Sequence, residues 1–538
     1  MERRSTGEAA VLLAVLGTGV FVAGLELMIT AVALPAIVGD IAGWTRLREA
    51  SWIINGYLLV YVVTMPLAGR LGDLWGNRRP FLAAIAVFTV GSALAGASQS
   101  LEQLIAARLV QAVGGGALVP LATSAAAHLF EGRARPRALG VVGALTFLGM
   151  AAGPFLGAAI LDAVHPNSAL ARLGIPAGAA IDSFFVPAWR WVFYVNVPVG
   201  IAALAIAWAV SSGWDTPRRR GRVDLPGGAL VGIALVGTLG ALTLLGSRQA
   251  AGAGGLDPVL VAGGLALAAL VAIPLAVARG LRVRDPFLDP RLFLRPAFAS
   301  AALVSLLTGY GLATAIVGAA VFVDRVLYGG PDEQRVALGA LAAATAVGAL
   351  VSGWALRALG LRLVTLVGLA GSVAGLALMA RWTPDTSILA AAGTLALFGA
   401  GFGLTVTPRS TAATQAVEAS AYGAAASVVT VARMAGMAIG LAILTAYGST
   451  TIDRLYDQVY ATADAYKQFI PEYLRDRPLR DGQVVAALEA WAASEAAQIM
   501  VGVCLLAAAV TAAAVVPTLL LKARRRMLAT AGAPAPGP

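Results

Sequence analysis

Charged residues are scarce in this sequence: Asp, Glu, Lys and Arg make up only 12% of its 538 residues. Soluble globular proteins carry roughly 25% charged residues, so the composition excludes an ordinary soluble protein. Disorder is excluded as well, because 59% of the residues are hydrophobic and would not stay solvated in an open chain. A membrane-spanning helix needs ~20 apolar residues, and apolar runs recur between residues 11 and 521. The sequence therefore predicts an all-α polytopic membrane protein.

Cysteine and histidine are almost absent, which narrows the available chemistry. Cys504 is the only cysteine, and the two histidines, His128 and His165, lie far apart at the ends of apolar runs. These residues form neither a disulfide framework nor a zinc-ligand pattern. No His pair, Asp pair or Ser–Lys pair occurs at the spacing that a catalytic site needs. We therefore expect no enzyme activity, no metal site and no cofactor.

The net charge of +11 comes from arginine clusters that lie between the apolar runs. This distribution follows the positive-inside rule and does not indicate nucleic-acid binding. With the N-terminus in the cytoplasm, the richest arginine clusters fall on the cytoplasmic side of fourteen predicted spans. We expect a monomeric, multi-pass protein of the cell (inner) membrane with both termini in the cytoplasm.

The fourteen predicted spans divide the chain into four regions. Residues 1–212 are predicted to form an N-terminal six-helix bundle, residues 213–296 two linker helices and an inner surface loop, residues 297–526 a C-terminal six-helix bundle, and residues 527–538 a disordered tail. Two outer segments, residues 162–190 and 449–494, are unusually long. The second is an outer extension in which Ile452, Leu455 and Val459 show helical spacing. The sequence alone assigns no role to either segment.

The loop after the second span carries a glycine-rich charged motif. Its glycines permit a tight turn and close helix packing, and an aspartate at a helix N-terminus forms a charge-linked latch. The motif residues are Gly69, Gly72, Asp73, Gly76, Arg78 and Arg79. They strongly resemble the inner loop motif, GxLaDrxGrkxxl, of the major facilitator superfamily. The resemblance implies that this loop belongs to the inner gate of a transporter.

A weaker copy of the motif lies at residues 353–362. Gly353 and Gly360 repeat the two outer glycines, and Arg357 stands where Asp73 stands in the first copy. Two related six-helix halves are the parallel repeat of this superfamily. The two additional helices between the halves, together with the aromatic stretch 189–198, resemble the fourteen-helix drug:proton antiporter branch.

The fifth span contains a second glycine motif, Gly149, Gly153, Pro154 and Gly157. The proline removes a backbone donor and the small residues permit close helix approach. The pattern resembles the gxxxGPxxGG motif that is associated with exporters in the superfamily, with Ala158 in place of the final glycine. The alternative interpretation is generic helix packing.

Glu26, Arg108 and Arg433 lie inside predicted spans, where an ionisable side chain is costly and is a functional candidate by default. Burial favours the protonated form of a carboxylate, so Glu26 is a candidate proton carrier. Drug antiporters resemble this stretch but usually carry Asp there. Arg108, with Gln111, resembles the RxxQGxG motif whose arginine is associated with proton coupling. Two alternatives stay open: Glu26 is permanently bonded to a hydroxyl or to Arg108, and Arg433 either stabilises a charged acid or pairs with the backbone.

Few other polar residues lie in the spans, and the candidate cavity-lining residues are Asn55, Tyr57, Thr146 and Tyr310. A sugar or amino-acid site would need more convergent hydrogen-bonding groups, so the spans suit a lipid-like or amphipathic hydrophobic cargo. Residues 431–437 and the outer extension resemble the mycobacterial triacylglyceride exporters. That resemblance implies export driven by the proton gradient, with a periplasmic or surface lipid-binding lipoprotein as partner. The alternative is a multidrug:proton antiporter for small hydrophobic drugs.

Overall fold

The computed structural model describes residues 6–42, 46–50, 52–132, 134–164, 182–209, 214, 216, 223–246, 257–460, 464–478 and 480–521. His165, most of the predicted outer loop 162–190, the arginine cluster at 218–222 and the predicted tail 527–538 lie outside these residues. Every regular element in the described part is a helix, which confirms the all-α class.

Thirteen long helices form the body of the described structure. Their bounds are α1 Thr6–Ile37, α2 Trp52–Trp75, α3 Arg78–Ala97, α4 Leu101–Leu129, α5 Ala134–Ala163, α6 Asn196–Ala209, α7 Leu225–Gly246, α8 Pro258–Arg282, α9 Pro296–Arg325, α10 Pro331–Met379, α11 Ile388–Gln415, α12 Tyr422–Tyr460 and α13 Gly482–Ala513. Short helices lie at Leu47–Ala50, Asp182–Phe185, Arg190–Tyr194 and Val515–Leu519, 3-10 turns at Pro290–Leu294, Ala419–Ala421, Ala465–Phe469 and Glu472–Leu474, and a π-turn at Val38–Ala42.

The described residues contain thirteen helices that are long and apolar enough to cross a membrane, α6 being joined to the short helix before it. Helix α10 is unusual because it has 49 residues and is interrupted at Gly360, with φ 75° and ψ 169°. Only glycine adopts this left-handed region freely, so Gly360 reverses the chain between two crossings. The fourteen predicted spans are thereby confirmed, with the tenth and eleventh joined at the weaker copy of the inner loop motif, residues 353–362.

The two linker helices lie on one side of the bundle. Helix α7 packs against α2 and α12, and α8 packs on α7, with most of the α8 side chains exposed. Asp224, just before α7, accepts hydrogen bonds from Arg279 Nε and Nη2 at 2.8 and 2.7 Å and from the Gly227 N–H at 3.1 Å. The linker helices are therefore joined to each other by a buried carboxylate.

We expect Asp224→Asn to lower the melting temperature by a few degrees at neutral pH. Burial raises the pKa of the Asp224 carboxyl, but the Arg279 hydrogen bonds and two backbone N–H groups outweigh burial, so the pKa lies below its ordinary value. The carboxylate therefore contributes stability above the unfolded pKa of about 3.9, and that stability is lost as the pH falls through the folded pKa. A double-mutant cycle with Arg279→Gln, measured by thermal unfolding, should show coupling of about 1–2 kcal/mol. Additive losses would contradict the pairing.

Helix α12 extends well beyond the membrane. Its 39 residues span about 58 Å at ~1.5 Å per residue, nearly twice the ~30 Å hydrocarbon core. Its membrane-crossing part agrees with the predicted span 421–448, and the helix continues into the outer extension, where the sequence predicts helical spacing. At the outer end of α12, a small buried apolar cluster is formed by Val459, Tyr466, Ile470, Leu474 and Val484. The extension thus has a core of its own outside the bundle.

Candidate functional site

Glu26 lies in the middle of α1 and is completely buried. Its Oε1 accepts a hydrogen bond from Thr30 Oγ1, one turn later, at 3.0 Å, and pairs with Arg108 Nη1. Its Oε2 accepts from Asn196 Nδ2, at the start of α6, at 2.6 Å. Both carboxylate oxygens are therefore engaged, in a site that the described structure closes to solvent.

Arg108 extends this network across the N-terminal half. Its Nε donates to the Ile53 carbonyl at 3.3 Å, and its Nη1 donates to Gln111 Oε1 at 2.5 Å. Gln111 Nε2 in turn donates to Ser92 Oγ at 2.7 Å. The guanidinium carbon lies 4.0 Å from the centre of the Tyr57 ring, a cation–π contact. Helices α1, α2, α3, α4 and α6 thus meet at one buried ion pair.

A buried ion pair of this kind is sensitive to protonation. Removing one charge leaves the other buried without compensation, which costs on the order of 3–5 kcal/mol. A proton on Glu26 would therefore weaken its hold on Arg108 and favour a rearrangement that gives the arginine other partners. In this structure Glu26 is bonded both to a hydroxyl and to Arg108, and a role as proton carrier would require these helices to move.

Arg433 lies in a different place, on α12 in the C-terminal half. It lines a small cavity between the two halves together with Arg409, Thr146 and Phe147. The Arg433 guanidinium carbon is 5.3 Å from the Phe147 ring centre, and Arg433 Nε has no hydrogen-bond partner among the described residues. The structure thus brings Glu26 and Arg108 together and leaves Arg433 to a second site.

Arg409 is a buried residue that sequence reasoning missed. The predicted twelfth span covers residues 388–407 and stops two residues before it. Helix α11 continues through Pro408 to Gln415. Proline is tolerated inside membrane helices where neighbouring groups satisfy the freed backbone, so the helix passes Pro408 and Arg409 is buried within it.

The four candidate cavity-lining residues do not share one location. Thr146 lines the cavity with Arg433, whereas Tyr57 lies against Arg108. Tyr310 is buried in an apolar cluster of the C-terminal half, and Asn55 is half-buried on α2. In the described part of the chain, no group of three or more His, Cys, Asp or Glu side chains could hold a metal ion.

The inner loop motif connects the two halves. Asp73, near the end of α2, accepts hydrogen bonds from the backbone N–H groups of Gly423 and Ala424 at 2.7 and 2.9 Å. These are donors in the first turn of α12, where the helix dipole favours a negative charge. A Cβ on Gly69 would overlap the Gly423 carbonyl, so glycine at both positions lets α2 and α12 touch. Asp73 is therefore a cap on a helix of the opposite half.

The other motif residues shape the turn that follows. Gly76 has φ 79°, which permits the reversal into α3, and Arg78 and Arg79 begin that helix. A Cβ on Gly72 would lie 2.6 Å from Asn77 Oδ1, so only glycine fits beside the turn.

Further contacts close the same end of the bundle, which we call the inner end. His128 at the end of α4 lies 2.7 Å from the Ala419 carbonyl through Nε2, and Arg135 Nη1 donates to Tyr422 Oη at 3.2 Å. On the opposite side of the interface, the Arg137 guanidinium carbon lies 4.8 Å from the centre of the Trp354 ring, in the weaker copy of the inner loop motif. The two halves therefore meet at the inner end on both sides of the interface.

We expect Asp73→Asn to open the inner end more often. An amide still accepts a hydrogen bond but lacks the charge that the helix N-terminus stabilises, which is worth about 0.3–1 kcal/mol and up to ~2 kcal/mol when partly buried. Spin labels across the inner end should show a two- to tenfold rise in the longer-distance population. Asp385→Asn, on an exposed loop, should leave the distances unchanged. An unaltered distribution in Asp73→Asn would contradict the latch.

The glycine motif of α5 holds α5 against α1. A Cβ on Gly149 would overlap the Phe21 carbonyl, and a Cβ on Gly153 would lie 2.9 Å from the Leu25 carbonyl. A Cβ on Gly157 would lie 3.1 Å from the Ile29 side chain, while Pro154 lines an apolar cavity beside Phe147. Because Leu25 directly precedes Glu26, this packing fixes the position of Glu26 along the axis of the bundle.

The comparison with known proteins agrees with this geometry. A model of the Major Facilitator Superfamily matches residues 16–441. The chain is 32% identical over 464 residues to a triacylglyceride transporter of Mycobacterium tuberculosis, covering 82% of each chain. It is also 32% identical over 459 residues to a triacylglyceride transporter of Mycolicibacterium smegmatis, covering 82% of this chain and 75% of the relative.

Two solved structures share the fold at low sequence identity. An inward-facing bacterial homologue of the human lysosomal transporter Spinster matches with TM-score 0.57 and 16% identity, covering 97% of this chain and 100% of the other. A proton:xylose symporter matches with TM-score 0.56 and 11% identity, covering 94% and 95%. Fourteen membrane crossings, an inner loop motif that joins the halves and the family match over residues 16–441 lead to one conclusion: the chain belongs to the major facilitator superfamily.

Proposed function

We propose that this protein is a proton-coupled exporter of lipid-like hydrophobic molecules, with triacylglyceride as the favoured cargo. The observation that carries the coupling is the buried Glu26–Arg108 ion pair, which joins five helices of the N-terminal half. Its energy source is the proton gradient, without a cofactor. The proposal places the protein as a monomer in the cell (inner) membrane, with both termini and the inner end in the cytoplasm.

Proton coupling follows from the chemistry of the ion pair. When Glu26 is ionised, it holds Arg108, and the surrounding helices stay in the arrangement seen here. When a proton reaches Glu26, Arg108 loses its counter-charge, which destabilises the arrangement seen here. Movement of the helices that supply the remaining partners then becomes more favourable. A step that links protonation to helix movement is what an antiporter needs to exchange a proton for cargo.

The proposed cargo rests on the apolar character of the interior and on the relatives. One cavity between the halves is lined by Met28, Phe147, Met150 and Phe155, among other apolar residues. It encloses about 40 Å³, room for one or two waters, so cargo enters only when the halves separate. Relatives 32% identical over most of the chain are triacylglyceride transporters, which supports a lipid.

The proposed partner is a periplasmic or surface lipid-binding lipoprotein that receives the cargo at the outer extension. The long α12 and the apolar cluster around Tyr466 and Leu474 carry the chain well beyond the membrane. A surface that extends this far from the membrane is suited to transfer a lipid to an acceptor protein without exposing the lipid to water.

A multidrug:proton antiporter is the second candidate, favoured by the methionine and phenylalanine side chains of the apolar cavity. Methionine-rich surfaces adapt to ligands of different shapes. Mass spectrometry of lipids that co-purify with the protein, compared with dye efflux from the same cells, separates the two functions. Enriched acylglycerols with unchanged dye efflux would support the lipid exporter, and the reverse result would support the multidrug antiporter.

Deletion of the outer extension, residues 449–494, should impair lipid export more than dye efflux. A drug released at the membrane surface needs no acceptor, whereas a lipid handed to a lipoprotein does. Lipid export should fall tenfold or more while dye efflux changes less than twofold, measured in one strain at matched protein levels. Equal loss of both activities would indicate that the extension only supports the fold.

A further inference from the structure

We propose that Arg409 and Arg433 bind the anionic head of an amphiphilic cargo whose acyl chain occupies the neighbouring apolar cavity once the two halves have separated and enlarged it. The inference rests on the proposed export of lipid-like molecules and departs from it in one respect: the bound lipid carries a carboxylate or phosphate group, which a neutral triacylglyceride lacks.

The two arginines share one cavity. Arg409 on α11 and Arg433 on α12 line the same cavity between the halves, and both side chains are more than nine-tenths buried. The wall around them is rich in hydroxyl groups, from Thr123, Thr146, Ser305, Ser410 and Thr430. Each of these hydroxyl groups donates to a carbonyl of its own helix. The donors that complement an oxygen anion are therefore those of the two guanidinium groups.

The two arginines lack a counter-charge among the described residues. Arg409 donates only to neutral groups, the Thr405 carbonyl at 3.0 Å and Thr308 Oγ1 at 2.6 Å. Arg433 Nε has no partner, neither arginine belongs to an ion pair of the described residues, and the cavity lining contains no carboxylate.

Two buried positive charges without an acid form a costly arrangement in a membrane protein. Such residues ordinarily pair with an acid or line a functional cavity. Ring faces offset a part of the cost, since Arg409 lies 5.0 Å from the Phe402 ring and Arg433 lies 5.3 Å from the Phe147 ring. The remainder is removed when an anion binds, so the site favours an anionic ligand over a neutral one.

An apolar cavity lies next to the arginines. Phe147 belongs to the lining of both cavities, so one ring separates a cationic compartment from an apolar one. The apolar compartment is formed by Met28, Met150, Pro154 and Leu312, and its one arginine, Arg335, is already paired with Asp332. A molecule with an anionic head and a hydrocarbon chain matches a cationic compartment that lies next to an apolar one. A triacylglyceride, which has no charged head, matches only the apolar compartment.

The test is equilibrium binding of radiolabelled oleate to the purified protein in neutral detergent, without a proton gradient. We expect Arg409→Gln and Arg433→Gln each to weaken oleate binding at least tenfold, and Arg433→Lys to retain part of the affinity. Arg381→Gln, on an exposed outer loop, is the matched control and should bind normally. Without ligand, the two glutamine variants should melt at or above the wild-type temperature, because each removes an uncompensated charge.

Competition on the wild-type protein keeps the proposal testable even if the variants misfold. Unlabelled oleate or oleoyl lysophosphatidate should displace the label, and the more potent of the two identifies a carboxylate or a phosphate head. Methyl oleate should compete at least tenfold less well. Equal competition by methyl oleate, or unchanged binding in both glutamine variants, would overturn the proposal. Because no gradient is used, these outcomes are independent of whether export is proton-coupled.

Discussion

Glu26→Gln is expected to abolish proton-driven transport while cargo binding survives. Glutamine keeps the size of the side chain, but its single carbonyl oxygen replaces only one of the two carboxylate oxygens, so it can accept from Thr30 or from Asn196 and not from both. It cannot take up and release a proton, and it leaves Arg108 without a counter-charge. The variant should lose the response of transport to a pH gradient by about 100-fold, and its melting temperature should fall.

The measurement is uptake of labelled cargo into proteoliposomes with and without an imposed pH gradient. Glu26→Asp is the matched control, since it keeps the acid one methylene further from Arg108 and should retain at least a tenth of the gradient-driven rate. The neutral variant should still catalyse exchange of cargo between the two sides at equal pH. Undiminished gradient-driven transport by Glu26→Gln would exclude Glu26 as the proton carrier.

Gly149→Val is expected to prevent stable packing of α5 against α1. The added Cβ would overlap the Phe21 carbonyl, and a backbone atom cannot move aside as a flexible side chain can. Small-to-large changes in packed interiors cost about 1–3 kcal/mol, and more when the obstacle is backbone. The displaced α1 would also carry Glu26 away from Arg108, so stability and coupling should fail together.

Gly393→Val is the matched control for that substitution. Gly393 also lies inside a long helix, α11, but a Cβ there meets no atom within 4 Å. Fluorescence-detected gel filtration after heating should show a loss of ten degrees or more for Gly149→Val and almost none for Gly393→Val. Similar melting temperatures for both variants would show that the glycine motif is not a close helix contact.

Much of the fold was predictable because the membrane imposes one length scale on the chain. Apolar runs of about twenty residues could be counted, and arginine clusters identified their connections. The motif glycines also carried a clear local signal, since Gly69 and Gly149 lie where two backbones touch. Glu26 and Arg108 stood out because charged residues are rare inside spans.

The remaining features depend on contacts between residues that are far apart in the sequence, which local sequence patterns do not reveal. Arg409 lies two residues beyond the predicted span 388–407, and it is buried because α11 continues past Pro408. The partner of Asp73 is a pair of backbone N–H groups 350 residues away, which no side-chain pattern encodes. The outer part of α12 is polar, so hydropathy indicates only the membrane segment of this helix and not its full length of 39 residues.

The most direct test of proton-coupled export is simultaneous recording of cargo and protons in proteoliposomes. A fluorescent acylglycerol reports cargo crossing, and a pH-sensitive dye trapped inside reports proton movement in the opposite direction. The account predicts that cargo moves uphill only while a pH gradient exists, that protons move with it, and that a protonophore stops both. Uphill cargo movement without a gradient, or cargo movement with no proton flux, would contradict it.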